Sequence, residues 1–233
     1  MMNESKQYYK KISPTIWQNW VESHSEIFSR HLEALSRCME GLKAKFAIDI
    51  GCGYGRLIPF LSDKAEELVE VDVSTKSLKN TREITSKFRH KTFFVAGDAN
   101  SLSFLDGSFQ LVVCYEVFIH IENSGMALSE MRRVMADNGV LILSTTIFRN
   151  RFSRLLCRIF LPLLGYKRYS GGYKGKNKPF MKWFTKNEFL NLLSSHKFSL
   201  RVKTFESATL HPALFSSIIV ECRKSGVNRI GSD

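Results

Sequence analysis

The sequence predicts an α/β fold in which helices cover a mostly parallel sheet. Short apolar segments typical of buried strands alternate with longer segments whose apolar residues recur at helical spacing. The first strand ends in a glycine-rich turn, which is typical of α/β units that bind a ligand at the carboxyl ends of their strands. With 233 residues, 44% of them hydrophobic, the chain can form one domain with a full core and an elaboration.

The glycine-rich turn follows an apolar run over residues 46–50 that contains one acid, Asp49. Three glycines then occupy alternate positions, Gly51, Gly53 and Gly55. Because glycine has no Cβ, the backbone N–H groups of such a turn can approach a ligand closely. The spacing does not match G-x-G-x-x-G, since Arg56 stands where the third glycine belongs. Asp49 would repel a pyrophosphate and attract an ammonium group, so the turn favours a ligand with an amino acid end.

Two further acids follow predicted strands. Residues 67–73 alternate apolar and acidic side chains and contain Asp72, close to the ~20-residue offset at which an acid at a strand end meets ribose hydroxyls. A carboxylate can accept from both hydroxyls of a cis-diol. A third strand is predicted over residues 92–96, and Asp98 comes soon after it.

These motifs resemble those of the class I S-adenosylmethionine-dependent methyltransferases. The first motif of that family, [D/E]-x-G-x-G-x-G, is matched at every fixed position, from Asp49 to Gly55. Residues 97–113 resemble the motif G-D-A-x-x-L-P-F-x-D-x-S-F-D-x-V, although Ser103 and Gln110 depart from the usual Pro and Asp. The resemblance implies a Rossmann-like three-layer sandwich whose seven-stranded, mostly parallel sheet has one antiparallel strand.

The resemblance also implies a cofactor, S-adenosyl-L-methionine, and the residues that bind it. Asp49 would hold the methionine amino group, Asp72 the ribose hydroxyls and Asp98 the adenine amino group. The remaining cofactor positions that it implies are Gly51, Cys52, Gly53, Val73, Ala99 and Tyr115. Methyl transfer from a sulfonium needs no metal, and we expect none.

The residues after a fourth predicted strand, 109–115, should face the reaction. His120 titrates near neutrality and is a candidate base for a substrate hydroxyl or amine, or else a side chain that shapes the pocket. Tyr115 is a second pocket candidate. We therefore predict methyl transfer to an oxygen or nitrogen of a small molecule, which could be a lipid-like compound, a quinone precursor or an anion. The alternatives are an RNA methyltransferase and a cofactor-binding partner protein without catalysis.

The net charge of +12 is concentrated in one segment. No acid lies between Asp137 and Glu188, whereas eleven basic residues do. They are Arg149, Arg151, Arg154, Arg158, Lys167, Arg168, Lys174, Lys176, Lys178, Lys182 and Lys186. The rest of the chain has 34 − 11 = 23 basic residues against 22 acidic ones, a net charge of +1.

Within this segment the sequence predicts a basic amphipathic helix. Seven apolar side chains recur at helical spacing, Phe152, Leu155, Leu156, Ile159, Phe160, Leu163 and Leu164, and Arg151, Arg154 and Arg158 fall on the other side. Either the apolar face covers the substrate pocket as a lid, or residues 149–182 contact an anionic membrane surface. Nucleic acid is a third, less favoured partner. In residues 167–178 glycines and tyrosines alternate with lysines, so we expect a mobile or disordered loop.

The remaining helices and strands complete the predicted domain. An apolar stripe predicts one or two helices over residues 15–40. Tyr8 and Tyr9, which precede these helices, are either lid residues or part of a frayed tail. Two helices should lie between the second and fifth strands, and a capping box at Thr185–Glu188 should start the last helix of the domain. The predicted bounds are 74–88, 123–136 and 185–195 for these helices and 140–146, 198–205 and 215–222 for the strands.

The sequence thus divides as one domain over 1–223 and a tail over 224–233. Its parts are an N-terminal helical lid (1–44), a cofactor-binding core (45–146), the basic insert (147–182) and a C-terminal helix and hairpin (183–223). The five cysteines form no C-x-x-C pair, and we find neither a signal peptide nor a run of ~18 apolar residues. We therefore expect a cytoplasmic protein, with peripheral membrane contact if the insert binds lipid.

Overall fold

The structure, a computed structural model, describes residues 4–12, 19, 22–85, 91–169, 171–176, 179–205 and 214–226. The helices are α1 (Glu4–Lys11), α2 (Ser25–Cys38), α3 (Ile58–Leu61), α4 (Thr75–Thr85), α5 (Ser124–Val134), α6 (Arg151–Leu163) and α7 (Lys186–Ser195), with a 3₁₀ turn at Phe118–His120. The strands are β1 (Ala44–Ile50), β2 (Ala65–Asp72), β3 (Lys91–Ala96), β4 (Phe109–Cys114), β5 (Met135–Phe148), β6 (Tyr166–Tyr169), β7 (Gly172–Gly175), β8 (Phe198–Phe205) and β9 (Phe215–Lys224).

Seven strands form one sheet in the order β3-β2-β1-β4-β5-β9-β8. The pairs among β1 to β5 are parallel, whereas β9 is antiparallel to both of its neighbours. The predicted seven-stranded sheet with one antiparallel strand is therefore confirmed. Strand order reverses at β1, which has β2 on one side and β4 on the other, and a ligand cleft is expected at the carboxyl ends of these strands.

The core has two apolar layers, one on each face of the sheet. Alternate residues of β4 show the division, because Val112 packs on the face that carries α5 and α7, whereas Leu111 packs on the face that carries α2 and α3. Such alternation is what a strand covered by helices on both faces requires. The arrangement is the predicted three-layer sandwich.

The start of β5 differs from the sequence prediction. We expected the preceding helix to reach residue 136 and the strand to begin at 140, but α5 ends at Val134 and β5 begins at Met135. The register with β4 shifts between the pairs Phe109–Met135 and Leu111–Val140. Residues 137–139, which separate the predicted helix from the predicted strand, therefore lie inside a bulge of β5.

The predicted loop over residues 167–178 was wrong at residues 167–169 and 172–175, which belong to an antiparallel hairpin of β6 and β7. Tyr173 exchanges two backbone hydrogen bonds with Met181, of 2.8 and 2.9 Å. A Cβ at Gly172 would lie 2.5 Å from the Met181 carbonyl oxygen and 2.7 Å from the Phe180 ring. Only glycine allows this close approach, and the hairpin is therefore fixed by contacts with the segment that follows it.

The flanking predictions are confirmed where the structure describes them. The capping box at Thr185 and Glu188 begins α7, and β8 and β9 form the terminal hairpin. β9 extends to Lys224, which pairs with Asp137 at 2.9 Å. Parts of the predicted N-terminal helix (15–18, 20 and 21), the end of the 74–88 helix (86–88) and residues 227–233 lie outside the described residues. In the described part of the chain, no helix has the length and apolar content needed to cross a bilayer.

Candidate active site

A cavity of about 470 Å³ opens at the carboxyl ends of the strands where the strand order reverses. Its volume is within the range of small-molecule sites, roughly 300–1,000 Å³. All ten residues that the sequence selected line it, namely Asp49, Gly51, Cys52, Gly53, Asp72, Val73, Asp98, Ala99, Tyr115 and His120. The structure brings these residues together, while the individual roles assigned to them stay predictions.

The glycine turn shapes one wall of the cavity. Gly51 has a φ of +80°, and its N–H donates to the Val71 carbonyl at 2.7 Å. A Cβ on Gly51 would lie 2.5 Å from the Val117 side chain, so both the backbone conformation and the available space require glycine. The turn is tied to the next strand because the Gly53 N–H donates to the Asp72 carboxylate at 3.0 Å.

Asp49 and Asp72 project from neighbouring strands toward the same face of the sheet. Asp49 is the register partner of Glu70 on β2, and Asp72 lies two residues further along that strand. Asp72 accepts from the N–H groups of Gly53 and Ser74, the second at 2.8 Å. The protein thereby fixes the orientation of the Asp72 carboxylate.

Burial controls the charge of this acidic group of side chains. It raises the pKa of Asp49 to about 7, against the opposing effect of Arg56, and it raises the pKa of Asp72 to about 6, against the two backbone N–H groups. The pKa of Glu70 is raised well above its usual range, again mainly by burial. An ammonium group beside Asp49 would favour its ionised form, whereas a diphosphate would be repelled.

Asp98 forms the third acidic position, after β3. Its carboxylate accepts from the Asn100 N–H at 3.0 Å and pairs with the Lys6 ammonium of α1. Two buried polar atoms of the cavity wall, Asn100 Oδ1 and the Tyr115 hydroxyl oxygen, have no hydrogen-bond partner in the described structure. Such atoms mark polar contacts for a ligand. Together with the three carboxylates, they fit an adenosine that carries an amino acid.

His120 lies in the 3₁₀ turn after β4, where the insert fixes its ring. Its Nδ1 is 2.9 Å from the Phe180 carbonyl oxygen, and because a carbonyl only accepts, Nδ1 carries the proton. Nε2 therefore carries the lone pair. Burial lowers the pKa of His120 to about 4, so the ring is neutral at physiological pH and can accept a proton. The Lys182 N–H also donates to the Ile119 carbonyl, at 2.7 Å, which ties the insert to this turn.

The other side of the cavity is built by α1 and the insert. Tyr8 and Tyr9 of α1 line it, and the Tyr9 ring contacts the His120 ring edge-on with centroids 5.2 Å apart. The insert contributes Tyr166 and Met181. These two parts of the chain add aromatic and apolar side chains to the cavity wall.

Several cavity residues received no role from the sequence, among them Arg56, Glu116 and Lys6. The Arg56 guanidinium lies 4.8 Å from the centroid of the Tyr115 ring, and its position directly after the third glycine could have identified it. Glu116 has a φ of +58°, and the Ser144 hydroxyl donates to its carboxylate at 3.0 Å. Lys6 has no sequence signal, because its partner Asp98 is 92 residues away.

Comparison with known proteins agrees with this geometry. Residues 48–143 match a family model described as a methyltransferase domain. The match covers 96 of the 233 residues, and together with the motifs and the fold it supports a class I S-adenosylmethionine-dependent methyltransferase.

The relatives include two curated O-methyltransferases and a solved structure. Chloroplastic tocopherol O-methyltransferase of Arabidopsis thaliana is 27% identical over 202 residues, which are 82% of this chain and 57% of that protein. Ubiquinone biosynthesis O-methyltransferase of Psychrobacter cryohalolentis is 24% identical over 145 residues, 59% of this chain and 54% of that protein. The chain thus spans little more than half the length of these relatives.

The solved structure to which the chain is similar is that of Burkholderia thailandensis 1,6-didemethyltoxoflavin-N1-methyltransferase with bound 1,6-didemethyltoxoflavin and S-adenosylhomocysteine. It matches with a TM-score of 0.63 at 13% identity, over 91% of this chain and 87% of that one. At this identity the likeness concerns the fold.

Proposed function

We propose that the protein transfers the methyl group of S-adenosylmethionine to an oxygen or nitrogen of a small, lipid-like acceptor. The observation that carries this proposal is that one cavity gathers every cofactor residue selected from the sequence and places a neutral histidine in its wall. The chemistry of the donor set supports the same cofactor, since three carboxylates suit an ammonium, a cis-diol and an adenine amino group.

The protein's own residues would bind and align the reactants. Asp49 would hold the amino group, Asp72 the ribose hydroxyls and Asp98 the adenine amino group, with Val73 and Ala99 against the ring. When bound, the cofactor supplies a methyl group on a cationic sulfur that departs as a neutral thioether. The protein's remaining task is to place the acceptor atom in line, which is a matter of position and orientation.

His120 would accept the proton of an acceptor hydroxyl or amine at Nε2. Because its pKa is about 4, the ring is a weak base, and it takes this proton only as methylation makes the acceptor atom more acidic. The hydrogen bond from Nδ1 to the Phe180 carbonyl holds the ring in the tautomer that this role requires.

A ring-bearing, apolar acceptor is favoured by the wall that α1 and the insert provide. Tyr8, Tyr9, Tyr166 and Met181 offer aromatic and apolar surface next to His120. The names of the two curated relatives, which concern tocopherol and ubiquinone biosynthesis, support acceptors of the quinol class.

The proposal is tested with S-adenosylmethionine labelled in its methyl group and a series of hydroquinones with prenyl tails of increasing length. We expect labelled product in the organic extract, with turnover rising as the tail lengthens. In parallel, the labelled cofactor is incubated with total RNA. Label in RNA instead of the hydroquinones would favour RNA methylation, and cofactor binding without label in either would favour a non-catalytic protein.

A further inference from the structure

The helix of the basic insert exposes a large apolar surface. Six of the ten exposed large hydrophobic side chains in the described residues lie on α6 or directly after it. These six, Phe152, Leu155, Ile159, Phe160, Leu163 and Leu164, are called here the α6 face. The exposed fractions of Phe152 and Leu163 are 65% and 76%, so the helix does not cover the cavity with these side chains.

A different side of α6 attaches it to the domain. Ser153 and Cys157 are buried. Cys157 belongs to a largely aromatic cluster that includes Tyr173 and Trp183, and Leu161 is partly buried against this cluster. Arg154 pairs with Glu188 at 2.6 Å and so joins α6 to the start of α7. The helix is therefore held by contacts that leave the α6 face directed outward.

Exposed basic side chains lie on α6 itself and on β6, the strand that follows it. Arg151 and Arg158 on the helix are exposed, as are Lys167 and Arg168 on β6. No acid occurs in the sequence between Asp137 and Glu188. Apolar side chains flanked by cations match the surface of an anionic bilayer, where the former enter the boundary of headgroups and acyl chains and the latter meet lipid phosphates.

We propose that the α6 face docks into the interfacial region of an anionic lipid membrane. A second copy of the chain is a poorer occupant, because two such faces would bring their basic residues together. RNA would satisfy the charges but would leave the large apolar side chains in water.

The docking face lies close to the cavity. Met181 belongs both to the cluster beneath α6 and to the cavity wall, and Tyr166 packs on that cluster and also lines the cavity. The cluster that holds α6 therefore also forms part of the wall of the candidate active site.

The experiment is sedimentation of the full chain with phosphatidylcholine vesicles, with or without phosphatidylglycerol. We expect the protein to pellet with the anionic vesicles and to be released as salt is raised. Phe152→Ser together with Leu163→Ser should lower the bound fraction about tenfold, since each removes apolar area from the interface. The matched control is Leu105→Ser, because Leu105 is 82% exposed outside the insert. Its binding should equal that of the wild type.

A charge variant tests whether the basic side chains contribute to membrane binding, and it leaves the apolar side chains unchanged. Arg151→Gln with Arg158→Gln should weaken binding to anionic vesicles, whereas Lys76→Gln with Lys79→Gln on α4 should not. The proposal is overturned if the wild type stays in the supernatant with anionic vesicles. It is also overturned if Leu105→Ser loses binding equally, or if the α6 face proves to be covered by a second copy in light scattering. These outcomes do not depend on methyl transfer, which is measured separately.

Discussion

Asp72 shows how a single side chain can be prepared for its ligand by the backbone around it. Its two oxygens accept from Gly53 and Ser74, so the carboxylate has one orientation although burial raises its pKa. The same bonds connect the glycine turn to β2. A change at this position should therefore reduce binding without rearranging the sheet.

We expect Asp72→Ala to weaken S-adenosylhomocysteine binding by at least about tenfold in calorimetry, because hydrogen bonds to a charged group are worth ~1.5–3 kcal/mol. Asp63→Ala, at an exposed position outside the cavity, is the matched control. Equal affinities for both variants would remove Asp72 from the set of cofactor residues.

For His120 we expect a loss in turnover without a loss in cofactor affinity. His120→Ala should lower kcat by about 10²- to 10⁴-fold, the usual contribution of a positioned base, while binding of S-adenosylhomocysteine changes little. Rapid-quench measurement of a single turnover separates the chemical step from product release. If the variant keeps the wild-type rate, His120 only shapes the pocket.

Residues of the site were predictable where the chain places them beside a motif. Asp49 and Asp72 lie near the ends of strands whose apolar pattern is evident, and Asp98 follows the next strand. The parallel sheet then brings the three side chains to one edge. Lys6 could not be predicted in this way. Its contact with Asp98 depends on the path of the chain over a sequence separation of 92 residues, which no local pattern encodes.

At the scale of elements, α1 and the insert are the two parts that cover the cavity. α1 is attached through the ion pair of Lys6 with Asp98 and through the contact of Tyr9 with His120. Since Asp98 is also the predicted partner of the adenine amino group, Lys6 and the cofactor compete for the same carboxylate.

Lys6→Gln should therefore increase the affinity for S-adenosylhomocysteine. We expect a gain of about two- to fivefold, because partly exposed ion pairs contribute ~0.2–1 kcal/mol. Lys10→Gln, at an exposed position of the same helix, provides the comparison. A weaker affinity of Lys6→Gln than of Lys10→Gln would show that Lys6 assists the cofactor instead of competing with it.

The insert illustrates which elements local sequence can predict. α6 has a clear helical repeat, and the structure confirms the predicted helix, over Arg151–Leu163. The hairpin of β6 and β7 was missed, because its glycine and lysine content is typical of a loop. Tertiary contacts form the hairpin, including the backbone hydrogen bonds between Tyr173 and Met181 and the close approach of Phe180 to Gly172.

At the scale of the whole molecule, the fold places two carboxyls of raised pKa in one cavity that should receive a cation. The alternation of strand and helix patterns predicted an α/β sheet, and the resemblance to the methyltransferase family implied its seven strands with one antiparallel strand. It could not predict the raised pKa values, which arise from burial on both sides of the strands.

These values predict a pH dependence of cofactor binding. The ligand ammonium requires ionised Asp49, whose pKa is about 7, and Asp72 with a pKa of about 6 acts in the same direction. As pH falls through this window both carboxyls take up protons, so affinity should decrease by up to about tenfold per pH unit per group. Calorimetry from about pH 5.5 to 7.5 tests the slope. Asp49→Asn should flatten it, and an unchanged slope in this variant would assign the titration to another group.

The hydrogen bond between His120 and residue 180 uses a main-chain oxygen, which every amino acid possesses. No substitution of Phe180 can delete that acceptor, whereas an insertion or deletion between β5 and α7 could displace it. Substitutions in this segment should therefore preserve the hydrogen bond to the His120 ring, whereas insertions and deletions in the segment should not. Among homologues, the spacing from residue 120 to the capping box should vary less than the residue types between them.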